Sequence, residues 1–314
     1  MERKKLRHFG DDLAAAVERT GSPALVGLDP RWEQLPSSLT SGVGDDWTTR
    51  ARAYEKFCRE IIDVVAPLIP AVKPQAAFFE ELGPAGMVAL ANAIRYAREK
   101  GLLVILDGKR NDIGSTAEAY ARGFLGRDGQ SAWEADALTI SPYLGADGLE
   151  PFIDVASSRG AGLFVLVKTS NPGSHMLQDQ ELATGTVYRR VAEYVEQQSQ
   201  LTCGERGYGI VGAVVGATYP RQLAELRTAM PQTWLLVPGF GSQGGTAEDV
   251  APAFDYRGLG AIVNSSRGII FAYNRPEYRQ RFGEPRWQEA VEAATREMIA
   301  QLRAETLAGK LTRK

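Results

Sequence analysis

Histidine is nearly absent from this sequence: His8 and His175 are the two in a chain of 314 residues. His8 sits near the start and His175 in a polar loop, so imidazole-centred acid–base chemistry has little material. Any catalysis must rest on carboxylates and ammonium groups. Cysteine is as scarce. Cys58 and Cys203 can form neither a disulfide framework nor a zinc site by themselves, and Cys58, set in a helical pattern, reads as a small core hydrophobe. A dominant charge is lacking too: 36 basic and 38 acidic residues leave a net charge of −2, which excludes a global cationic field for nucleic acid or anionic lipid. Only the tails are locally basic (Arg3-Lys4-Lys5 and 310–314), and they read as solvated ends. Long apolar runs are missing. Stretches such as 161–167 are far too short to cross a bilayer, and the start, with Asp11 and Asp12 where an apolar segment would stand, does not read as a signal peptide. The expectation is a cytoplasmic protein with no nucleic-acid and no membrane partner.

What is present is ordinary globular material, 44% hydrophobic and 24% charged, arranged in a regular alternation. Short β-branched or leucine-rich runs occur at 24–29, 71–74, 102–109, 137–141, 162–169, 210–217, 234–240 and 261–265. Between them lie segments with helical spacing, such as Tyr54-Phe57-Ile61-Val64-Val65, Val88-Leu90-Ala91-Ile94-Ala97 and Val187-Val191-Tyr194-Val195. Continuous apolar strands alternating with helices imply a parallel sheet covered by helices. Eight such units without a dividing linker predict a single (β/α)8 TIM barrel over 1–314, with an N-terminal helix and a C-terminal helical extension. The extension, 287–314, is basic and is expected to pack across the barrel's end. Longer loops stand at 31–46, 123–134 and 171–185; the first and last follow strand ends, where barrel enzymes build their sites.

Charge gathers at those strand ends. The first strand ends Gly27-Leu28-Asp29-Pro30, the second Val72-Lys73-Pro74-Gln75, and the third runs Leu106-Asp107-Gly108-Lys109-Arg110-Asn111-Asp112. Strand side chains two apart share a face, so Asp107 and Lys109 point the same way. Lys73, one strand over, supplies a second ammonium and Asp112 a second carboxylate. A lone strand-end lysine is usually a snorkelling surface residue, and Asp112 alone reads best as a helix cap. Four charges of alternating sign at adjacent strand ends read as a site. A second constellation follows the seventh and eighth strands: Pro238-Gly239-Phe240-Gly241-Ser242-Gln243-Gly244-Gly245 and Asn264-Ser265-Ser266-Arg267-Gly268. A glycine cluster alone would be a plain turn. Paired with Ser-Ser-Arg-Gly after the next strand, it reads as a phosphate cradle in which Arg267 grips the anion bidentately.

The run 104–116 resembles the signature of the orotidine 5′-phosphate decarboxylases, with Asp107, Lys109, Asp112 and Thr116 in place. The similarity extends from Gly27-Leu28-Asp29-Pro30 to the Ser-Ser-Arg-Gly after the eighth strand. Val72-Lys73-Pro74-Gln75, Ile140-Ser141-Pro142-Tyr143-Leu144-Gly145 and Lys168-Thr169-Ser170-Asn171-Pro172 resemble the longer bacterial (type 2) branch in particular. The extended first loop and the 123–134 segment are less typical. The resemblance implies decarboxylation of orotidine 5′-phosphate to uridine 5′-phosphate in pyrimidine biosynthesis, without cofactor or metal. It implies a homodimer with shared sites, in which Asp112, Ile113 and Thr116 enter the neighbouring subunit's site. It makes Lys73, Asp107, Lys109 and Asp112 the catalytic network. Asp29 would bind the ribose hydroxyls and Ser141 the pyrimidine. Gln243 and Arg267, with backbone groups around Gly244 and Ser266, would grip the phosphate, Pro238 would add a further substrate contact, and the Ser170-Asn171-Pro172-Gly173 loop would cover the base.

Loss of CO2 from C6 of the pyrimidine leaves a carbanion that the ring π-system does not delocalise. A preorganised cation must stabilise it; Lys109 is the candidate, and then the proton donor. Phosphate contacts far from C6 are expected to drive loop closure. Two rivals remain open at this point. One is a Mg²⁺-dependent sugar-phosphate decarboxylase or aldolase of the same barrel superfamily, against which Lys73 argues. The other is a non-catalytic nucleotide-phosphate sensor, which has no need for a buried ammonium.

Overall fold

The computed structural model describes residues 7–42, 44, 46–241 and 244–312. Eight parallel strands close into a barrel: β1 (Ala24–Leu28), β2 (Ala71–Pro74), β3 (Leu103–Arg110), β4 (Ala137–Ile140), β5 (Gly162–Lys168), β6 (Val211–Val215), β7 (Leu235–Pro238) and β8 (Ala261–Ser265). Each strand pairs with its successor, and β8 pairs with β1 through Ala24↔Val263 and Leu25↔Asn264, so the sheet has no free edge. β1, β2, β4, β6 and β8 are buried at every position, one face turned into the barrel and the other under helices. That is why their sequences read as mainly apolar runs rather than as alternation, with Lys73, Thr139, Asn264 and Ser265 as the buried polar exceptions.

The longer helices are α1 (Phe9–Thr20), α2 (Trp47–Val65), α3 (Gly83–Glu99), α4 (Gly114–Phe124), α5 (Ala146–Arg159), α6 (Val187–Leu201), α7 (Pro220–Ala229) and α8 (Trp287–Glu305). Asp46 starts α2 by accepting the Thr48 and Thr49 N–H groups at 3.0 Å each, and Tyr54, Phe57, Ile61 and Val65 form its buried stripe. The stripe expected on α3 holds at Leu90, Ile94 and Ala97, whereas Val88 points to solvent.

α1 closes the end of the barrel where the strands begin. Its Phe9 ring meets Phe164 edge-on at 5.9 Å, and the Trp234 indole N–H donates to the Gly10 carbonyl at 3.2 Å. The opposite end is left open. His8 caps α1, accepting the Asp11 N–H at 3.2 Å, and its Nε2 lies 2.7 Å from the Thr202 carbonyl; His175 Nδ1 lies 2.7 Å from the Pro172 carbonyl, so both histidines serve backbone groups.

The final helix departs from expectation. α8 lies on the barrel's outer wall against α2 and β1, not across an end. Trp287, Ala290, Val291, Ala294, Met298 and Leu302 make one buried stripe on it, and a one-sided stripe is satisfied by a flank. The Trp287 ring sits 5.2 Å from Phe57 of α2.

The long segments carry structure of their own. The 31–46 loop holds the short helices Trp32–Gln34 and Ser37–Thr40, and the 123–134 segment is held by an Arg98–Glu134 ion pair. The excursion after β5 holds a 3₁₀ turn (Pro172–Met176) and a small hairpin pairing Glu181–Leu182 with Gly185–Thr186.

Candidate active site

The open end is organised by a departure from strand geometry. β3 pairs with β4 through Leu106↔Leu138 and then Arg110↔Ile140, so Asp107, Gly108 and Lys109 bulge opposite the single residue Thr139. Lys109 has φ 44°, a left-handed conformation unusual for a residue with a side chain. Two interactions hold it there. Its N–H donates to Thr139 Oγ1 at 2.9 Å, and its Nζ reaches Asp107 Oδ1 at 2.6 Å. Asp107 and Lys109 therefore meet as expected, but across a bulge rather than along a regular pleat.

Asp107 is the hub. Oδ2 accepts from Lys73 Nζ at 2.6 Å and from Gln75 Nε2 at 3.0 Å; Oδ1 accepts from Lys109 Nζ at 2.6 Å and from Thr139 Oγ1 at 2.9 Å. Register supplies the geometry. Lys73 stands beside Gly27 in the β1–β2 ladder, and Gln75 bridges to Asp107. Burial alone would push the Asp107 carboxyl up, but the ammonium groups of Lys73 and Lys109 outweigh it and hold the carboxyl well below the usual carboxylate range. For Lys73, burial works downward and the carboxylates of Asp107 and Asp29 outweigh it, leaving the ammonium above the ordinary lysine value. Lys73 is 4% exposed and Asp107 6%, whereas the Lys109 side chain is 47% exposed. The network thus has a buried base and one cation presented outward.

These groups line a cavity of about 450 Å³ that also touches Asp29, Asn171, Pro238, Asn264, Ser266 and Arg267. Buried Oδ1 atoms of Asp29 and Asn264 lack a hydrogen-bond partner among the described residues. Orphan acceptors on a cavity wall suit ligand hydroxyls. Arg267 is exposed at the rim and forms no ion pair among the described residues, leaving a guanidinium available to an anion. Its loop comes close to β1: a Cβ on Gly27 would fall 1.9 Å from Ser266 Oγ and 2.8 Å from Ser266 Cβ. Glycine there lets the two strand ends share one wall.

Some expected groups are not brought to this cavity. Gly244 lines a wider neighbouring groove of about 970 Å³ that runs from the loop after β7 to α8 and includes Arg267. Its N–H donates to the Gly241 carbonyl at 2.9 Å, so it is engaged within its own loop. Gln243 lies outside the described residues. Asp112 accepts the N–H of Ile113 at 2.9 Å and forms no ion pair with Lys109 among the described residues. The helix cap favoured for Asp112 by itself is not seen, since Ile113 is the N-cap of α4. Ile113 and Thr116 face solvent. Ser141 follows β4 but is not part of the cavity wall; Ser170, at the end of β5, is.

Thr139 was not singled out in the sequence; Gln75 and Asn264 stood there only inside strand-end runs, without a role of their own, and Ser170 only within the loop expected to cover the base. A signal existed for Thr139 and Asn264: each is a polar residue in an apolar strand, at 1% and 7% exposure. Among the described residues there is no cluster of three or more His, Cys, Asp or Glu side chains arranged for a metal, and no helix is long and apolar enough to cross a membrane.

Fold and site together define a (β/α)8 barrel with an ammonium–carboxylate network and, at its C-terminal mouth, an arginine without an ion pair among the described residues, the class that handles phosphorylated small molecules there. The model of the orotidine 5′-phosphate decarboxylase / HUMPS family matches residues 23–281, and the chain belongs to that family. An orotidine 5′-phosphate decarboxylase from Rhodopirellula baltica is 57% identical over 94% of this chain and 99% of its own length. One from Deinococcus radiodurans is 46% identical over 82% of this chain and 88% of its own. The solved structure of Leishmania donovani OMP decarboxylase superposes with a TM-score of 0.73 at 32% identity, covering 96% of this chain and 99% of that one.

Proposed function

We propose that this chain decarboxylates orotidine 5′-phosphate to uridine 5′-phosphate, a step of de novo pyrimidine biosynthesis, in the cavity at the mouth of its barrel. The observation that carries the reading is one buried carboxylate, Asp107, held between two lysine ammonium groups at 2.6 Å each on a cavity shared with Arg267. The phosphate goes to Arg267 and the backbone around Ser266, with Gln243 as a further contact. Asp29 takes the ribose hydroxyls through its orphan oxygen. Ser170, not Ser141, reads the pyrimidine, because it stands on the cavity wall between Asn171 and the strand end.

The step needs little covalent help from the protein. The bond from C6 to the carboxylate breaks, CO2 leaves, and the electron pair remains on C6. Lys109 Nζ, the outward cation of the network, stabilises that pair and then donates its proton to C6; solvent reprotonates the amine. Asp107 and Lys73 fix Lys109 in place before the substrate arrives, which is the preorganisation that makes a cation effective in a site shielded from water. Asp107 also faces the departing carboxylate.

We infer further that the enzyme works as a homodimer with shared sites. Asp112 has no cationic partner in its own chain among the described residues, and it leads directly into Ile113, which is 54% exposed. Tyr143 and Leu144, at 72% and 44% exposed, add apolar surface after β4. Large exposed apolar side chains next to an unpaired carboxylate suit a second copy.

The test is direct. Incubated with orotidine 5′-phosphate, the protein is expected to deplete the substrate's pyrimidine absorbance at the same rate with and without EDTA. Lys109→Ala is expected to abolish turnover while still binding uridine 5′-phosphate. Activity lost to the chelator would favour the Mg²⁺-dependent sugar-phosphate chemistry, and binding without turnover in the parent enzyme would favour a sensor.

A further inference from the structure

Lys168 is a fully buried lysine that the decarboxylation does not use. It ends β5 at 0% exposure and is absent from the cavity wall. Its Nζ lies 2.7 and 2.9 Å from the two Asp179 carboxylate oxygens and 3.3 Å from Ser174 Oγ, which occupies all three of its donors. The Tyr219 ring centroid is 4.4 Å away. Taking an ammonium out of water is costly unless such partners answer it, so the arrangement asks for a reason.

The hydrogen-bonding partners, Asp179 and Ser174, lie on one short excursion. Residues 169–179 leave β5, carry Thr169, Ser170 and Asn171 along the cavity wall, and return at Gln178, which also lines the cavity. At the return, two adjacent residues staple the excursion to the strand end. Asp179 takes Lys168. Gln178 accepts the Thr169 N–H at 2.9 Å and donates to Thr169 Oγ1 at 2.8 Å. Thr169 Oγ1 in turn donates to Asn171 Oδ1 at 2.6 Å.

We infer that Lys168 is a positioning residue: its ion pair with Asp179 closes the neck of this excursion and holds Ser170, Asn171 and Gln178 in the geometry that receives the substrate's base. The inference rests on the orotidine 5′-phosphate reading and adds a residue set that selects for the base rather than for the phosphate. With the neck open, the wall samples arrangements unable to bind, and apparent affinity falls by the fraction of time the competent one is populated. Ligands that lack a base never touch this wall and are indifferent to the change.

The experiment compares inhibition by uridine 5′-phosphate with inhibition by ribose 5-phosphate in wild type, Lys168→Met, Asp179→Asn and Lys168→Arg. In Lys168→Met and Asp179→Asn the inhibition constant of the nucleotide and the KM of the substrate are expected to rise roughly 10- to 100-fold. The constant for ribose 5-phosphate should stay within about twofold of wild type, and kcat should fall much less than kcat/KM. Lys168→Arg, which keeps the charge, should recover part of the loss. Equal weakening of both ligands, or no change in either, overturns the inference. Should Lys168→Met fail to fold, Asp179→Asn reads the same contact from its more exposed end, where the side chain is 37% exposed. A wild-type enzyme that neither turns over the substrate nor binds the nucleotide would instead sink the decarboxylase reading, a result visible before any variant is made.

Discussion

Asp107 concentrates the electrostatics of this molecule in one side chain. A carboxyl held below its usual range stabilises the fold wherever the unfolded carboxyl is ionised, and the contribution is lost as pH falls below about 4 toward the depressed folded value. Lys73 works the other way: its raised ammonium contributes below the ordinary lysine value and is lost as pH climbs through the folded one. The pair should therefore contribute a constant amount between roughly pH 5 and 9. Asp107→Asn leaves a buried lysine short of its partner and is expected to lower unfolding stability at pH 7 by roughly 3–5 kcal/mol, with the gap to wild type narrowing below pH 4. Urea titrations at a series of pH values check this; a variant as stable as wild type at pH 7 would show a network built at the expense of the fold. At this scale the charged residues were legible because sign and spacing repeat over adjacent strand ends. The individual role of Ser170 was not, although its loop was expected to cover the base. One hydroxyl in Thr-Ser-Asn has no spacing partner to mark it, and Ser141, with a similar strand-end setting, drew the pyrimidine assignment away from it.

Elements were legible where one physical cause acts on a whole segment. Burial on both faces makes a strand mainly apolar, and such short apolar runs exposed all eight barrel strands. Val88 misled because a single exposed valine fits a helical stripe as well as a buried one does. The bulge in β3 was hidden, since Asp107-Gly108-Lys109 continues a strand pattern and nothing in it announces that Lys109 adopts a positive φ. The placement of α8 depended on which surface remained open beside α2, a property of the assembled barrel rather than of the helix. Close approach between elements can be tested at β1 and β8. Gly27→Ala places a methyl group where Ser266 now stands, so the rim carrying Arg267 must shift. Overpacking of this kind costs roughly 1–3 kcal/mol. The expected outcome is a lower melting temperature together with a raised KM for orotidine 5′-phosphate. A substituted enzyme with unchanged KM would separate Ser266 from the phosphate site.

At the scale of the whole molecule, one chain builds most of a site but leaves Asp112 outside it. Lys73, Asp107 and Lys109 meet within the barrel, whereas Asp112 stands half-buried just before α4, and Ile113 and Thr116 at its start face outward. The four charges read from the sequence as one cluster are three in the folded chain. A dimer accounts for the fourth if the segment around Asp112 reaches over the partner's Lys109 and two such contacts form about a twofold axis. Subunit mixing isolates this arrangement. Lys109→Ala and Asp112→Ala subunits are each expected to be inactive alone. In a mixed dimer one site combines both lesions, and the other joins an intact Lys109 from one subunit with an intact Asp112 from the other. Random reassortment puts half of the dimers in that mixed state, each with one working site of two, so activity should return to roughly a quarter of wild type. Recovery should follow the kinetics of subunit exchange and vanish if the two variants are crosslinked separately before mixing. If no activity returns despite demonstrated exchange, Asp112 acts within its own chain or not at all, and the exposed Ile113 surface must be explained by some other contact.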